Sequence, residues 1–137
     1  MLLVIKGLFR GIMIDIAINE KDVPTVLSRN FRSIMKYHGC SIIDSRRKDG
    51  WIRIKKEKNK KVSCDIFILK YKKHKNKNIL IHSDSRVRKI WPKDYYDVKD
   101  VFPLHQYKFG KLVILGPRNY NSYLERGYGK IGKKLVV

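Results

Sequence analysis

The chain has 137 residues and a formal net charge of +20, from 32 Lys and Arg against 12 Asp and Glu. With 43% hydrophobic residues and a length that lets a domain bury about two-thirds of its unfolded surface, it is not a disordered protein. Two cysteines, Cys40 and Cys64, are too few for a disulfide framework and show no metal-type spacing. We predict a single domain over residues 1–137.

Membrane and export signals are not expected in this chain. No apolar run approaches the ~20 residues of a membrane-spanning helix. The opening stretch MLLVIKGLF is short for a signal-peptide core, and no basic region precedes it. We therefore expect neither a transmembrane segment nor a signal peptide.

The first half of the chain predicts a strand, a helix and two further strands. GIMIDIAI, residues 11–18, is almost entirely apolar and predicts a strand buried on both faces. Residues 23–39, VPTVLSRNFRSIMKYHG, have apolar residues at helical spacing between an early proline and a final glycine, which predicts one helix. CSIID and GWIRIKK, residues 40–44 and 50–56, predict two short strands.

The second half predicts a buried strand followed by shorter elements. VSCDIFILKY, residues 62–71, follows a polar turn and is as apolar as the first strand. The remaining predicted elements are strands at NILIH (78–82), VRKIW (87–91) and KLVIL (111–115), an irregular connection at PKDYYDVKDVFP (92–103), and a short helix in GPRNYNSYLERGYG (116–129). This order predicts an α+β fold, with a mixed β-sheet and flanking helices.

Each of the two most apolar strands carries one central carboxylate, Asp15 and Asp65. Neighbouring strands lie about 5 Å apart, so adjacent strands in register bring both acids to one place. Two close carboxylates repel each other unless a cation joins them, and Mg²⁺ combines carboxylates with substrate phosphate oxygens. The pattern therefore suggests metal-assisted phosphoryl transfer. The alternative is that each acid pairs with one of the many Lys and Arg or accepts backbone hydrogen bonds.

The positive charge is densest between residues 51 and 80. Such a stretch is either a solvated basic face or a site for polyanions such as nucleic acid. Aromatic residues that could stack on bases are Trp51, Trp91, Tyr95 and Tyr96. No helix-turn-helix, RNP, KH or zinc-finger motif accompanies them.

Three stretches resemble, in the same order, the motifs of the LicD/fukutin family: MIDIAINEKD, VSCDIFILKY and DVFPLHQYKFGKLVILGPRNYNSYLERGYGK. The resemblance extends from Gly11 to about Lys133. It implies a nucleotidyltransferase-like fold, here abbreviated at the N-terminus. The implied activity is a phosphotransferase that moves a phosphorylated alcohol or sugar from a CDP-type donor to a glycan. Phosphocholine from CDP-choline and ribitol phosphate from CDP-ribitol are family examples.

The resemblance also implies roles for individual residues. Asp15 matches the second acid of the family's Asp-x-Asp and would bind Mg²⁺ or Mn²⁺. Asp65 matches the acid of the second motif and would share the metal or accept the proton of the acceptor hydroxyl. Basic residues around the second strand, Arg53, Lys70 and Lys72, would bind the donor phosphates. Matching tail residues, interpreted as mainly packing and turn-forming, are Phe102, Pro103, Pro117, Tyr123, Leu124, Tyr128 and Gly129.

Two features depart from the family pattern. Met13 stands where the family has its first acid, and a thioether is a poor ligand for a hard cation. The stretch KGLFRG is a poor substitute for the helix and loop that precede this motif in the family. Glu20 or Asp84 could supply a replacement oxygen. The chain is thus a divergent enzyme, an incomplete copy, an inactive partner of a paralogue, or a non-catalytic module that binds nucleic acid.

Overall fold

The computed structural model describes residues 6–7 and 13–129. We predicted one domain over residues 1–137, and contacts within the chain group it into two compact units, residues 1–68 and 69–137.

The first unit combines strands with two short helices. Its elements are β1 (Lys6–Gly7), β2 (Met13–Asn19), a 3₁₀ turn (Glu20–Asp22), α1 (Val23–Val26), α2 (Arg29–Tyr37), β3 (Cys40–Asp44), β4 (Ile52–Lys56) and the first part of β5 (Ser63–His74). The strands pair in the order β1-β2-β5-β4-β3. The pairs β1–β2, β3–β4 and β4–β5 are antiparallel.

The core of this unit lies between one face of the sheet and the two helices. Isoleucines at alternate positions of the strands pack against α1 and α2: Ile16, Ile18, Ile42, Ile52, Ile54, Ile66 and Ile68. The helices contribute Val23, Val26, Phe31 and Met35, among others, to the same cluster. Because side chains alternate along a strand, the residues between these isoleucines lie on the opposite face of the sheet.

The predicted helix over residues 23–39 is two helices, so that part of the prediction is wrong. Ser28 has an extended backbone, with φ −64° and ψ 153°, and its hydroxyl accepts a hydrogen bond from the Phe31 N–H at 3.2 Å. A serine in this position caps a new helix instead of continuing the old one. The chain therefore turns between α1 and α2.

The second unit contains the rest of β5 and the remaining elements. These are β6 (Lys77–His82), α3 (Ser85–Ile90), β7 (Tyr95–Asp97), α4 (Val98–Val101), β8 (His105–Phe109), β9 (Leu112–Gly116) and α5 (Asn121–Tyr128). Strand β6 pairs with both β5 and β7, and β8 forms a separate antiparallel hairpin with β9. Gly129, with φ +63°, ends α5.

Three sequence predictions differ from this unit. VRKIW was predicted as a strand, but it lies in and just after helix α3, which Asp84 caps by accepting a hydrogen bond from the Arg86 N–H at 2.8 Å. Val87 is the buried residue of that helix. The connection predicted as irregular contains β7 and α4, and strand β8 was not predicted.

The α+β class is confirmed by these elements. A mixed sheet was expected; the pairs β1–β2, β3–β4, β4–β5, β5–β6 and β6–β7 are antiparallel. The nucleotidyltransferase-like arrangement stays a prediction. Within residues 6–7 and 13–129, no helix has the length and apolar character needed to cross a membrane.

Candidate functional site

Asp15 and Asp65 lie on the same face of neighbouring strands in the first unit. Strands β2 and β5 are adjacent in the sheet. Ile16 of β2 and Ile66 of β5 both face the helices, so the alternation of side chains puts both aspartates on the other face. The pairing that the sequence suggested for these two strands is therefore present in the sheet order.

Asp65 is held by an arginine from the next strand. Arg53 of β4 is the register partner of Asp65, so their side chains project side by side. Arg53 Nε donates to Asp65 Oδ1 at 2.7 Å and Nη2 donates to Oδ2 at 3.2 Å. The exposed fraction of the side chain is 6% for Asp65 and 29% for Arg53. Hydrogen bonding to Asp65 raises the pKa of Arg53, so the guanidinium stays protonated.

In addition to burial, Asp15 and Asp65 both raise the pKa of the Cys64 thiol. The backbone partner of Asp15 in β1 is Lys6, and the Asp15 side chain is half-buried. Burial raises the pKa of Cys64 to about 12, and the charges of Asp15 and Asp65 push it in the same direction. Since both carboxylates influence one thiol, they lie within electrostatic reach of the same point.

The reactivity of Cys64 tests this placement. In a Cys40→Ser variant, we expect iodoacetamide to alkylate Cys64 at least 100-fold more slowly in the folded protein than in urea at about pH 8, because a pKa near 12 leaves about one thiolate in 10,000. The rate should keep rising about tenfold per pH unit to about pH 10. Asp15→Asn should speed the reaction, and Glu20→Gln, an exposed acid, serves as the control. A rate that levels off below about pH 9 would contradict the placement.

Arg53 would compete with a divalent cation for Asp65, because it already donates to both oxygens of this carboxylate. Across residues 6–7 and 13–129, no three His, Cys, Asp or Glu side chains form a group able to hold a metal ion. Arg53 supplies instead one fixed positive charge beside the two acids. An apolar pair, Trp51 and Phe67, lies nearby with ring centroids 5.4 Å apart.

The other predicted site residues take no part in the Arg53–Asp65 pair. Lys70 and Lys72 belong to the second unit, opposite Ile81 and Ile79 of β6. Asp84 pairs with Arg86 at 2.7 Å, and this hydrogen-bonded pair lowers the pKa of Asp84 to about 2. Asp84 is therefore engaged at the start of α3, and Glu20 is exposed in the 3₁₀ turn.

A second buried polar pair, which the sequence did not indicate, lies in the second unit. His82 Nε2 and Asp94 Oδ2 are 2.7 Å apart, and 4% and 7% of their side chains are exposed. Tyr123 hydrogen-bonds to Asp94 and Tyr96, and the rings of Tyr96 and Tyr123 stack with centroids 4.4 Å apart. Burial raises the pKa of both tyrosines, and the charge of Asp94 adds to the shift. This network joins β6, β7 and α5 and is closed to solvent, so its role is structural.

Comparisons with known proteins leave the family open. No protein-family model matches the chain. It is 32% identical over 78 residues to "Uncharacterized protein RP689" of Rickettsia prowazekii (strain Madrid E). The match includes 57% of this chain and 28% of that protein, so the chain spans less than a third of the length of this relative. No solved structure matches.

Proposed function

We propose that this chain is a LicD/fukutin-like protein whose first unit binds the phosphates of a CDP-type donor. The family reaction is the transfer of a phosphorylated alcohol or sugar to a glycan hydroxyl. The observation that carries the proposal is the placement of Asp15 and Asp65 on one face of the adjacent strands β2 and β5. A carboxylate on a rigid strand can take the proton of an acceptor hydroxyl, and the Arg53 guanidinium beside Asp65 supplies positive charge of the kind that phosphoryl transfer requires.

In the proposed reaction, Asp65 and Arg53 each have a role. The acceptor hydroxyl oxygen attacks the phosphorus of the transferred group, the one that bears the alcohol or sugar, and the bond from that phosphorus to the bridging oxygen breaks, so that cytidine monophosphate leaves. Asp65 takes the hydroxyl proton, for which one of its oxygens must first give up a hydrogen bond from Arg53. The Arg53 guanidinium then turns its free donors to the phosphate oxygens.

Mg²⁺ or Mn²⁺ dependence is the weakest part of the family pattern in this chain. The first acid of the Asp-x-Asp is Met13, and Arg53 already neutralises Asp65. The positive charge of Arg53 beside Asp65 reduces the attraction of this carboxylate for a divalent ion. We therefore propose donor binding with a weak metal requirement and a reduced rate of transfer.

Calorimetry with CDP-choline and CDP-ribitol tests the proposal. We expect saturable binding to the wild type with little change between Mg²⁺ and EDTA, a loss of at least tenfold in affinity for Arg53→Ala, and tighter binding by Asp15→Ala and Asp65→Ala, because each of these removes a negative charge beside the donor phosphates. Met13→Asp is expected to make the binding depend on Mg²⁺, since it restores the missing acid. Circular dichroism must first establish that each variant is folded.

Glu57→Ala provides a matched control, because it removes one exposed carboxylate from the turn after β4. Its affinity for the donors should equal that of the wild type. Equal binding by all variants would remove both aspartates from the site. The absence of any saturable binding to the wild type would overturn the proposal itself.

A further inference from the structure

The second unit carries a two-stranded ribbon with an unusual density of positive charge. The basic ribbon consists of residues 70–78, where β5 and β6 pair from Lys70↔Ile81 to His74↔Lys77. The two residues of the turn between β5 and β6, Lys75 and Asn76, have φ of 47° and 61°. Positive φ at both central residues is the geometry of a tight hairpin turn whose twist suits the strands. The ribbon is thus a regular hairpin with a fixed shape.

The positive charge of the ribbon is not balanced by acids of its own. The ribbon contains Lys70, Lys72, Lys73, Lys75 and Lys77, and no Asp or Glu occurs between residues 66 and 83. All of residues 71–78 are exposed. Among the ion pairs and hydrogen bonds that involve described residues, none uses a lysine side chain of the ribbon. Like charges on paired strands repel each other, so an external polyanion would stabilise this hairpin.

The lysines project from both faces of the ribbon. Lys72, His74 and Lys77 share one face, because His74 and Lys77 are register partners and Lys72 is two residues before His74. Lys73 lies on the other face together with Tyr71, whose exposed fraction is 52%. A flat anionic surface can neutralise only one face of a ribbon at a time. A nucleic-acid groove presents phosphates on both of its walls.

The tip of the ribbon also favours nucleic acid over a bilayer. Membrane-binding hairpins insert apolar side chains, whereas residues 74–78 are His, Lys, Asn, Lys and Asn. Lysine and asparagine are donors to phosphates and base edges, and the exposed ring of Tyr71 can stack on a base or sugar. The major groove of a duplex is wide enough to admit a two-stranded ribbon.

We propose that the basic ribbon binds the sugar-phosphate backbone of a nucleic-acid duplex without sequence preference. The lysines of both faces bind phosphates, and the hairpin lies along the groove. This function is independent of the two aspartates, because its residues belong to the second unit. Tyr96, one of the aromatic residues first considered for base stacking, is buried against Tyr123. We therefore assign base stacking to the exposed ring of Tyr71.

The test compares two triple variants that remove the same amount of charge. Lys72→Gln/Lys73→Gln/Lys77→Gln removes three ribbon lysines, and Lys58→Gln/Lys60→Gln/Lys61→Gln removes three exposed lysines from the turn between β4 and β5. Binding to a labelled DNA duplex of mixed sequence is measured by fluorescence anisotropy over a series of salt concentrations. Every lysine–phosphate interaction that a variant removes should reduce the slope of log K against log salt by about 0.9.

We expect the ribbon variant to bind the duplex at least tenfold more weakly than the wild type, with a slope reduced by about 2 to 3. The turn variant should stay within about threefold of the wild type, because a diffuse charge contributes little at physiological salt. Equal decreases in both variants would overturn the proposal and assign binding to net charge. Tighter, ribbon-dependent binding to phosphatidylglycerol vesicles than to the duplex would overturn it in favour of a membrane surface.

Discussion

Replacement of Arg53 by methionine is expected to lower the free energy of unfolding by about 3–5 kcal/mol, because it leaves the buried carboxylate of Asp65 without its cation. Methionine keeps much of the volume of the arginine stem, so the loss reports the charge and its hydrogen bonds more than packing. Urea unfolding followed by circular dichroism measures the difference.

The double variant Arg53→Met/Asp65→Leu separates the two causes of that loss. Since the isolated charge and not the missing pair is the costly feature, the double variant should regain most of the stability. A double variant as unstable as Arg53→Met would mean that the pair organises the strands in a way that apolar residues cannot replace.

The Arg53→Met variant also tests whether Asp15 and Asp65 can bind a metal ion. In Arg53→Met, Asp65 loses its arginine and still faces the same side of the sheet as Asp15. If they can share a cation, Mn²⁺ should restore part of the lost stability, since a ligand that binds only the folded state stabilises it by RT ln(1 + [L]/Kd). The double variant, which lacks Asp65, should show no such recovery.

Asp94→Leu is expected to cost about 3 kcal/mol, because the buried side chains of His82 and Tyr123 lose the acceptor they share. Tyr123→Phe should cost about 1 kcal/mol, since it removes a hydroxyl but keeps the ring stacked on Tyr96. Thermal unfolding of both variants measures the difference, and Lys93→Ala, at an exposed neighbouring position, is the control. Similar losses for Asp94→Leu and Lys93→Ala would show that the network contributes nothing to stability.

The strands of the first unit could be predicted from sequence because their apolar pattern is strong. GIMIDIAI and VSCDIFILKY lie in β2 and β5, and CSIID is β3. The α3 helix could not be found in the same way. Its stretch VRKIW is short and β-branched in part, and the capping aspartate that turns it into a helix precedes it by three residues.

The side-chain partners of Asp65 and Asp94 could not be predicted from the sequence. Predicting that Arg53 lies opposite Asp65 requires the register of β4 against β5. The polar turn between these strands has six residues, and a turn of that length does not fix the register. His82 and Asp94 are twelve residues apart with a helix between them, and no periodicity joins them. Strand pairing, and not composition, determines which of the 32 basic residues forms an ion pair with a given acid.

The strict alternation along β5 makes this strand intolerant of a one-residue shift in its pairing with β4. Such a shift would rotate the carboxylate of Asp65 towards the isoleucines that pack against the helices, and would turn Ile66 to the opposite face. Insertions and deletions are therefore expected in the exposed turn before β5, where the register is kept, and not within the strand.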